Sequence, residues 1–188
     1  MGLAQTIINL LIIALIIYLI WYFFFNSHKS LHTCQDGTKA KTISADKLSG
    51  DQGASNFSWS VWYYVSDWSQ RLGEEKVILT RNSGSTNIAA SPHGGAPKIY
   101  LDKYENNMIV RVDTMKNAHT GSGGNHTCQV ANVPLQRWVN AIISLNNRTL
   151  DVYVQGKLVR TCILPGVVDV KPNAPTHITP SGGFAGFT

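Results

Sequence analysis

The chain opens on an unbroken apolar run. Ile7 to Phe25 reads IINLLIIALIIYLIWYFFF, in which only Asn9 is clearly polar and no residue is charged. Nineteen residues at 1.5 Å rise span about 28 Å, close to the hydrocarbon thickness of a bilayer. A helix packed into a soluble core would carry a polar stripe, and this run has none. The pattern therefore predicts a transmembrane anchor over residues 1–25, with Ile7, Leu11, Leu15, Leu19, Trp21 and Phe25 facing lipid and the terminal aromatics at the interface. A cleaved signal peptide would need a basic n-region and small residues at the cut. No Lys or Arg precedes Ile7, and Phe23-Phe24-Phe25 is a poor cleavage site. Residues 26–50 then turn polar and read as a stalk, with one short strand at Lys41–Ser44.

From Asn56 the period changes to two. Phe57, Trp59, Val61, Tyr63 and Val65 alternate with Ser58, Ser60, Trp62, Tyr64 and Ser66, giving one wholly apolar and one mixed face of a strand. KVILTR (76–81), KIYL (98–101) and MIVRV (108–112) read as further strands. Ala118–His126 reads as a flexible Gly/Ser loop; it is no phosphate cradle, because no Gly-Lys-Ser/Thr follows and no helix starts there. After Trp138, Val139, Ala141, Ile143 and Leu145 form one inward face, and Leu150, Val152 and Val154 the next. Turns at Asn146-Asn147 and Gln155-Gly156, with a return over Lys157–Leu164, make a three-stranded meander. Residues 51–188 are expected to form one all-β, antiparallel sandwich.

Several motifs resemble a family. The run NVPLQRWVNAIISLNNRTLDVYVQGKLVRTCILPG is similar to the core hairpins of concanavalin A-like, laminin-G-like (LamG-like) jelly-roll domains. FSWSVWYYVSDW with KVILTR resembles their early strands, and HITPSGGFAGFT their late glycine-glycine-phenylalanine strand. The version encoded behind a transmembrane helix by large DNA viruses is the most similar. That resemblance implies a non-enzymatic virion protein: a minor capsid component that links an internal membrane to the shell, with the lipid bilayer and other capsid proteins, major and minor, as partners. The alternative is a membrane-displayed lectin that binds glycans for attachment. The family continues past this point of the motif with a further strand, so the sheet edge left exposed here is expected to be covered by chain beyond Thr188, with a neighbouring molecule as the alternative.

Composition narrows the chemistry. Net charge is +5 in 188 residues, yet Lys and Arg are scattered and charged residues make up only 14%. That distribution argues against a nucleic-acid groove. Glycoside hydrolysis on this fold needs two carboxylates about 5 Å apart on one face. Glu74-Glu75 is the one adjacent acidic pair, and it falls in a loop. Asp102, Glu105 and Asn106 could contribute calcium ligands, but they read better as a solvated loop. His28 and His32 share helical spacing, and His119 and His126 flank the Gly loop; none forms a metal motif. No catalytic residue, metal or cofactor is expected.

Cys128 and Cys162 are candidates for a disulfide, with two buried thiols as the other reading; Cys34 is left over, free or acylated. Trp62, Tyr64 and Trp68 are the candidate interaction surface, unless a second sheet or further strand covers them. Lys29, Lys39 and Lys41 follow the helix, and the positive-inside rule then places the β domain on the cytosolic, capsid-facing side. Three sequons, Asn56-Phe-Ser, Asn125-His-Thr and Asn147-Arg-Thr, point the other way.

Overall fold

The computed structural model describes residues 2–25, 31–48, 54–82, 96–115 and 124–188. It divides into two units, Met1–His32 and Thr33–Thr188. The first holds one helix, α1 (Leu3–Phe25). Of the anchor residues whose side chains are described, Ile7, Leu11, Leu15, Leu19 and Trp21 are all exposed. The 20-residue apolar window Ala4–Phe23 buries nothing against protein.

The second unit is a jelly-roll β-sandwich of two antiparallel sheets. Strands β1 (Lys41–Ile43), β3 (Lys76–Arg81), β4 (Lys98–Leu101), β5 (Met108–Thr114), β6 (Gly124–Val130) and β10 (Thr176–Ile178) form one sheet in the order β1-β10-β3-β4-β5-β6. Strands β2 (Phe57–Asp67), β7 (Trp138–Asn146), β8 (Thr149–Val154), β9 (Lys157–Ile163) and β11 (Ala185–Phe187) form the other in the order β11-β2-β7-β8-β9. The alternation in β2 places Tyr63 and Val65 in the core and leaves Trp62 exposed outward. The inward faces of β7 and β8 meet Ile99, Leu101, Met108 and Val110 of the opposing sheet. The meander β7-β8-β9 follows the hydrophobic alternation, and Gln155-Gly156 turns at φ 52° and 75°.

Three expectations shift. The first two-residue turn is Asn147-Arg148, since Asn146 pairs with Thr149. Asn125 and His126 belong to strand β6 rather than to a loop; residues 118–123, the rest of the expected loop, lie outside the described residues. The third shift concerns residues 26–50. Residues 26–30, including His28 and Lys29, lie outside the described residues, as do 49 and 50. But Gln35 and Thr188 exchange backbone hydrogen bonds at 2.8 and 3.0 Å, and Asp36 bridges to Phe187. A few residues on, β1 pairs with β10 in the other sheet. The stretch from Gln35 to Ile43 is thus built into the sandwich. It extends the β11 edge and laces that edge to the edge of the opposing sheet, which occupies the edge expected to be bare. It is polar because its strands lie at the rim, where most side chains meet solvent.

Glycine makes this lacing possible. At Gly186 (φ +148°) an added Cβ would lie 1.7 Å from the Tyr64 carbonyl oxygen, and at Gly37 it would lie 2.7 Å from that of Phe184. Backbones approach there more closely than any side chain permits.

The opposite side of the sandwich is closed covalently. Cys128 on β6 and Cys162 on β9, each on the edge strand of its sheet, are disulfide-bonded with Cα atoms 6.0 Å apart. The bond runs between the sheets, not across one. Cys34 is free and exposed.

Candidate functional site

Two aromatic surfaces stand out, and they divide the three residues singled out from the sequence. Trp62 and Tyr64 lie on the outer face of the β2 sheet. The register sets Tyr64 opposite Trp138 on one side and Phe187 on the other. Their rings form a triangular cluster, with centroids 5.8 Å apart for Tyr64–Trp138 and 6.4 Å for both Tyr64–Phe187 and Trp138–Phe187. Trp62, Trp138 and Phe187 remain exposed, so among the described residues no second layer covers this face.

Trp68 goes elsewhere. As β2 ends, the Asp67 carboxylate accepts the Ser69 hydroxyl at 2.7 Å and the Ser69 N–H at 2.8 Å. Both bonds hold the Asp67 carboxyl below the usual range, and the tight turn they define carries Trp68 off the sheet. Trp68 packs partly against the core. Its indole N–H donates to the Tyr104 carbonyl at 3.3 Å, and the Lys76 ammonium lies 4.5 Å from its ring centroid. Lys76 is fully buried. Burial and Arg71 lower its pKa, opposed by Asp102 and Glu74; the indole face supplies part of the stabilisation that a buried cation requires.

Trp68 lines an open cleft of about 640 Å³ at this tip, together with Tyr104, Asn106, Asn107, Gln129 and Asn132. The loops around it are cross-braced. Asn107 donates its side-chain N–H to the Glu105 carboxylate at 2.6 Å and accepts the Asn132 N–H at 3.1 Å. Asn106 donates to the Val133 carbonyl at 3.2 Å, and Val133 returns its N–H to the Asn106 carbonyl at 2.8 Å. Tyr104 stands 70% exposed at the rim. An aromatic ring beside several side-chain amides and one carboxylate suits a ligand with both flat apolar faces and hydroxyl groups.

The acidic residues are engaged separately. Glu74 pairs with Arg71, and Glu75 accepts the buried Lys98 ammonium at 2.6 Å. The loop residues read as possible calcium ligands do not converge: Glu105 and Asn106 are tied into the loop braces, and among the described residues no three His, Cys, Asp or Glu side chains come together. His93 and His119 lie outside the described residues.

The sandwich is similar to the CBM40 module of the Ruminococcus gnavus IT-sialidase, solved with α2,3-sialyllactose, at 11% identity and TM-score 0.50 over 72% of this chain and 73% of that one. It is similar as well to domain 4 of AbnA, a GH43 extracellular arabinanase of Geobacillus stearothermophilus, solved with arabinotriose: 13% identity, TM-score 0.50, 81% of this chain and 65% of that one. A third likeness is to botulinum neurotoxin type C, at 16% identity and TM-score 0.44 over 65% of this chain; the match spans only 26% of the toxin chain. At these identities the first two likenesses support the fold alone. No protein-family model matches the chain, and no curated relative does.

The sequence missed Tyr104, Trp138 and Phe187. Trp138 and Phe187 were within reach, since each falls opposite an outward residue of β2. Tyr104 lies in the β4–β5 loop, where no periodicity marks it.

Proposed function

We propose that the sandwich is a non-enzymatic carbohydrate-binding domain on a membrane-anchored chain. The observation that carries this is the braced cleft at the tip, where Trp68 and Tyr104 stand among the side chains of Asn106, Asn107, Gln129 and Asn132. Two similar sandwiches have been solved with oligosaccharides. The separate engagement of Glu74, Glu75 and Glu105 supports binding without hydrolysis. The exposed, apolar α1 supports the anchor. The test is a glycan array probed with the full chain in lipid nanodiscs. Tyr104→Ala is the cleaner variant because Tyr104 is rim-exposed; it should weaken binding about tenfold, worth about 1.4 kcal/mol, without changing the melting temperature. Trp68→Ala should abolish binding at some cost in stability. An array with no bound glycan, or binding indifferent to both variants, refutes the assignment.

The second reading is the capsid linker implied by the resemblance. What favours it is the cluster of Tyr64 with the exposed Trp138 and Phe187, beside the exposed Trp62, a face suited to lateral protein contacts. No viral or capsid protein is among the similar structures described above. If purified particles stripped of membrane keep this protein in full, the anchoring half of that reading is wrong.

A further inference from the structure

The three sequons occupy one end of the sandwich, and it is the end away from the cleft. Asn56 immediately precedes β2, and its side-chain oxygen accepts the Asn147 N–H at 2.6 Å. Asn147 lies in the β7–β8 turn at φ 56°. Trp68 follows the far end of β2, whose 11 residues extend about 36 Å. In the other sheet, β5 leaves the cleft at Asn107 and ends at Thr114, which pairs with Gly124 beside Asn125. The registers of both sheets thus gather Asn56, Asn125 and Asn147 at the same pole, and all three are exposed. Glycans attached there would stand clear of the cleft and of the core.

A second, independent observation points to the same compartment. The Cys128–Cys162 bond ties the edges of the two sheets together, and such bonds persist where the surroundings are oxidising. The lysine argument for the opposite side weakens on the structure. Lys41 pairs with Ile178 within the sandwich, and the Lys39 carbonyl accepts the Thr179 hydroxyl at 2.6 Å. They belong to a folded domain, and domains translocate largely regardless of their charge.

We propose that Asn56, Asn125 and Asn147 are N-glycosylation sites and that the sandwich faces the lumenal, oxidising side of the membrane. This assignment stands apart from the carbohydrate-binding reading: an empty glycan array would leave it intact. The test is translation of the full chain into endoplasmic-reticulum microsomes, read on a denaturing gel with and without endoglycosidase, alongside protease protection. The expected result is three endoglycosidase-sensitive mobility steps. Asn56→Gln, Asn125→Gln and Asn147→Gln should each remove one, and the domain should be protected from added protease. Glycan transfer precedes folding, so a variant that folds poorly still reports its site. Thiol alkylation without reduction should label one cysteine per chain, and three after reduction. A single band untouched by endoglycosidase overturns the proposal, as does digestion of the domain by external protease. A step that survives its Asn→Gln substitution overturns the assignment of that site.

Discussion

Removing the disulfide tests how the sandwich is held closed. Cys128 and Cys162 have a sequence separation of 34. The loop-closure expression assigns such a loop about 13 cal/mol/K of denatured-state entropy, or about 3.8 kcal/mol at 25 °C. In a Cys34→Ser background, which prevents exchange with the exposed third thiol, Cys128→Ala/Cys162→Ala should lose that amount. It should lose about 1 kcal/mol more because Cys128 is fully buried and its sulfur leaves a void. For a domain of this size each kcal/mol moves the melting temperature by about 2–4 °C, so calorimetry should show a drop of about 10–19 °C. Reducing the unsubstituted pair keeps both sulfurs in place and should give the smaller part, about 8–15 °C. A drop under about 3 °C for both would refute the reasoning, because it would mean that the two edges are held by packing and that the bond merely records their proximity.

Two further outcomes follow from particular contacts. Gly186→Ala should destabilise the domain by about 3 kcal/mol or more, seen in chemical denaturation, since the new Cβ would meet the Tyr64 carbonyl at 1.7 Å at a positive φ; a change under about 1 kcal/mol would show that β11 can shift freely. His177 on β10 lies with its Nδ1 3.0 Å from the Thr42 hydroxyl. Burial lowers its pKa below 6.5, against a smaller opposing effect of the hydrogen bond it donates to the Asn82 backbone carbonyl. The unfolded chain therefore takes up the proton first as pH falls, and the stability contributed by the neutral ring is full above 6.5 and lost below it. Unfolding followed from pH 8 to 4 should show this loss, and His177→Gln should flatten that part of the curve; a parallel curve would rule His177 out.

The sequence carries this fold where burial is one-sided. In β2, β7 and β8 one face packs and the other meets water, so alternation identifies the strand and its inward residues together. It fails where that asymmetry fails. β3 is buried along its whole length, including Lys76 and Arg81, and reads as a strand only through its β-branched composition. The Gln35–Ile43 lace is almost wholly rim and reads as linker. The two aromatic surfaces were legible in part for the same reason. Trp62 and Tyr64 lie on an alternating strand, so their outward direction can be counted. The cleft is made by three loops that meet only through long-range pairing, and the Asn106–Val133, Asn107–Asn132 and Trp68–Tyr104 contacts that join them leave no local signal.

The geometry of the cleft bears on why such a domain would be tethered. The cleft is open, with one rim tyrosine and one partly buried tryptophan, so under the carbohydrate-binding proposal it would engage a sugar mainly from one side. A monosaccharide of about twelve non-hydrogen atoms at about 0.3 kcal/mol each gains about 4 kcal/mol, a Kd near 1 mM. A freely diffusing monomer with that affinity would hold little ligand at ordinary concentrations. Confinement of many copies to one membrane changes the arithmetic, because each later contact with a multivalent surface is effectively intramolecular, and avidity can exceed single-site affinity by a factor of about 10² to 10⁴. The same arithmetic applies to lateral contacts through the Trp62 face, which are also strengthened by confinement. In both readings the apolar helix does energetic work beyond attachment, and in both a chain lacking residues 1–25 would keep its single-site affinity while losing its hold on a multivalent target.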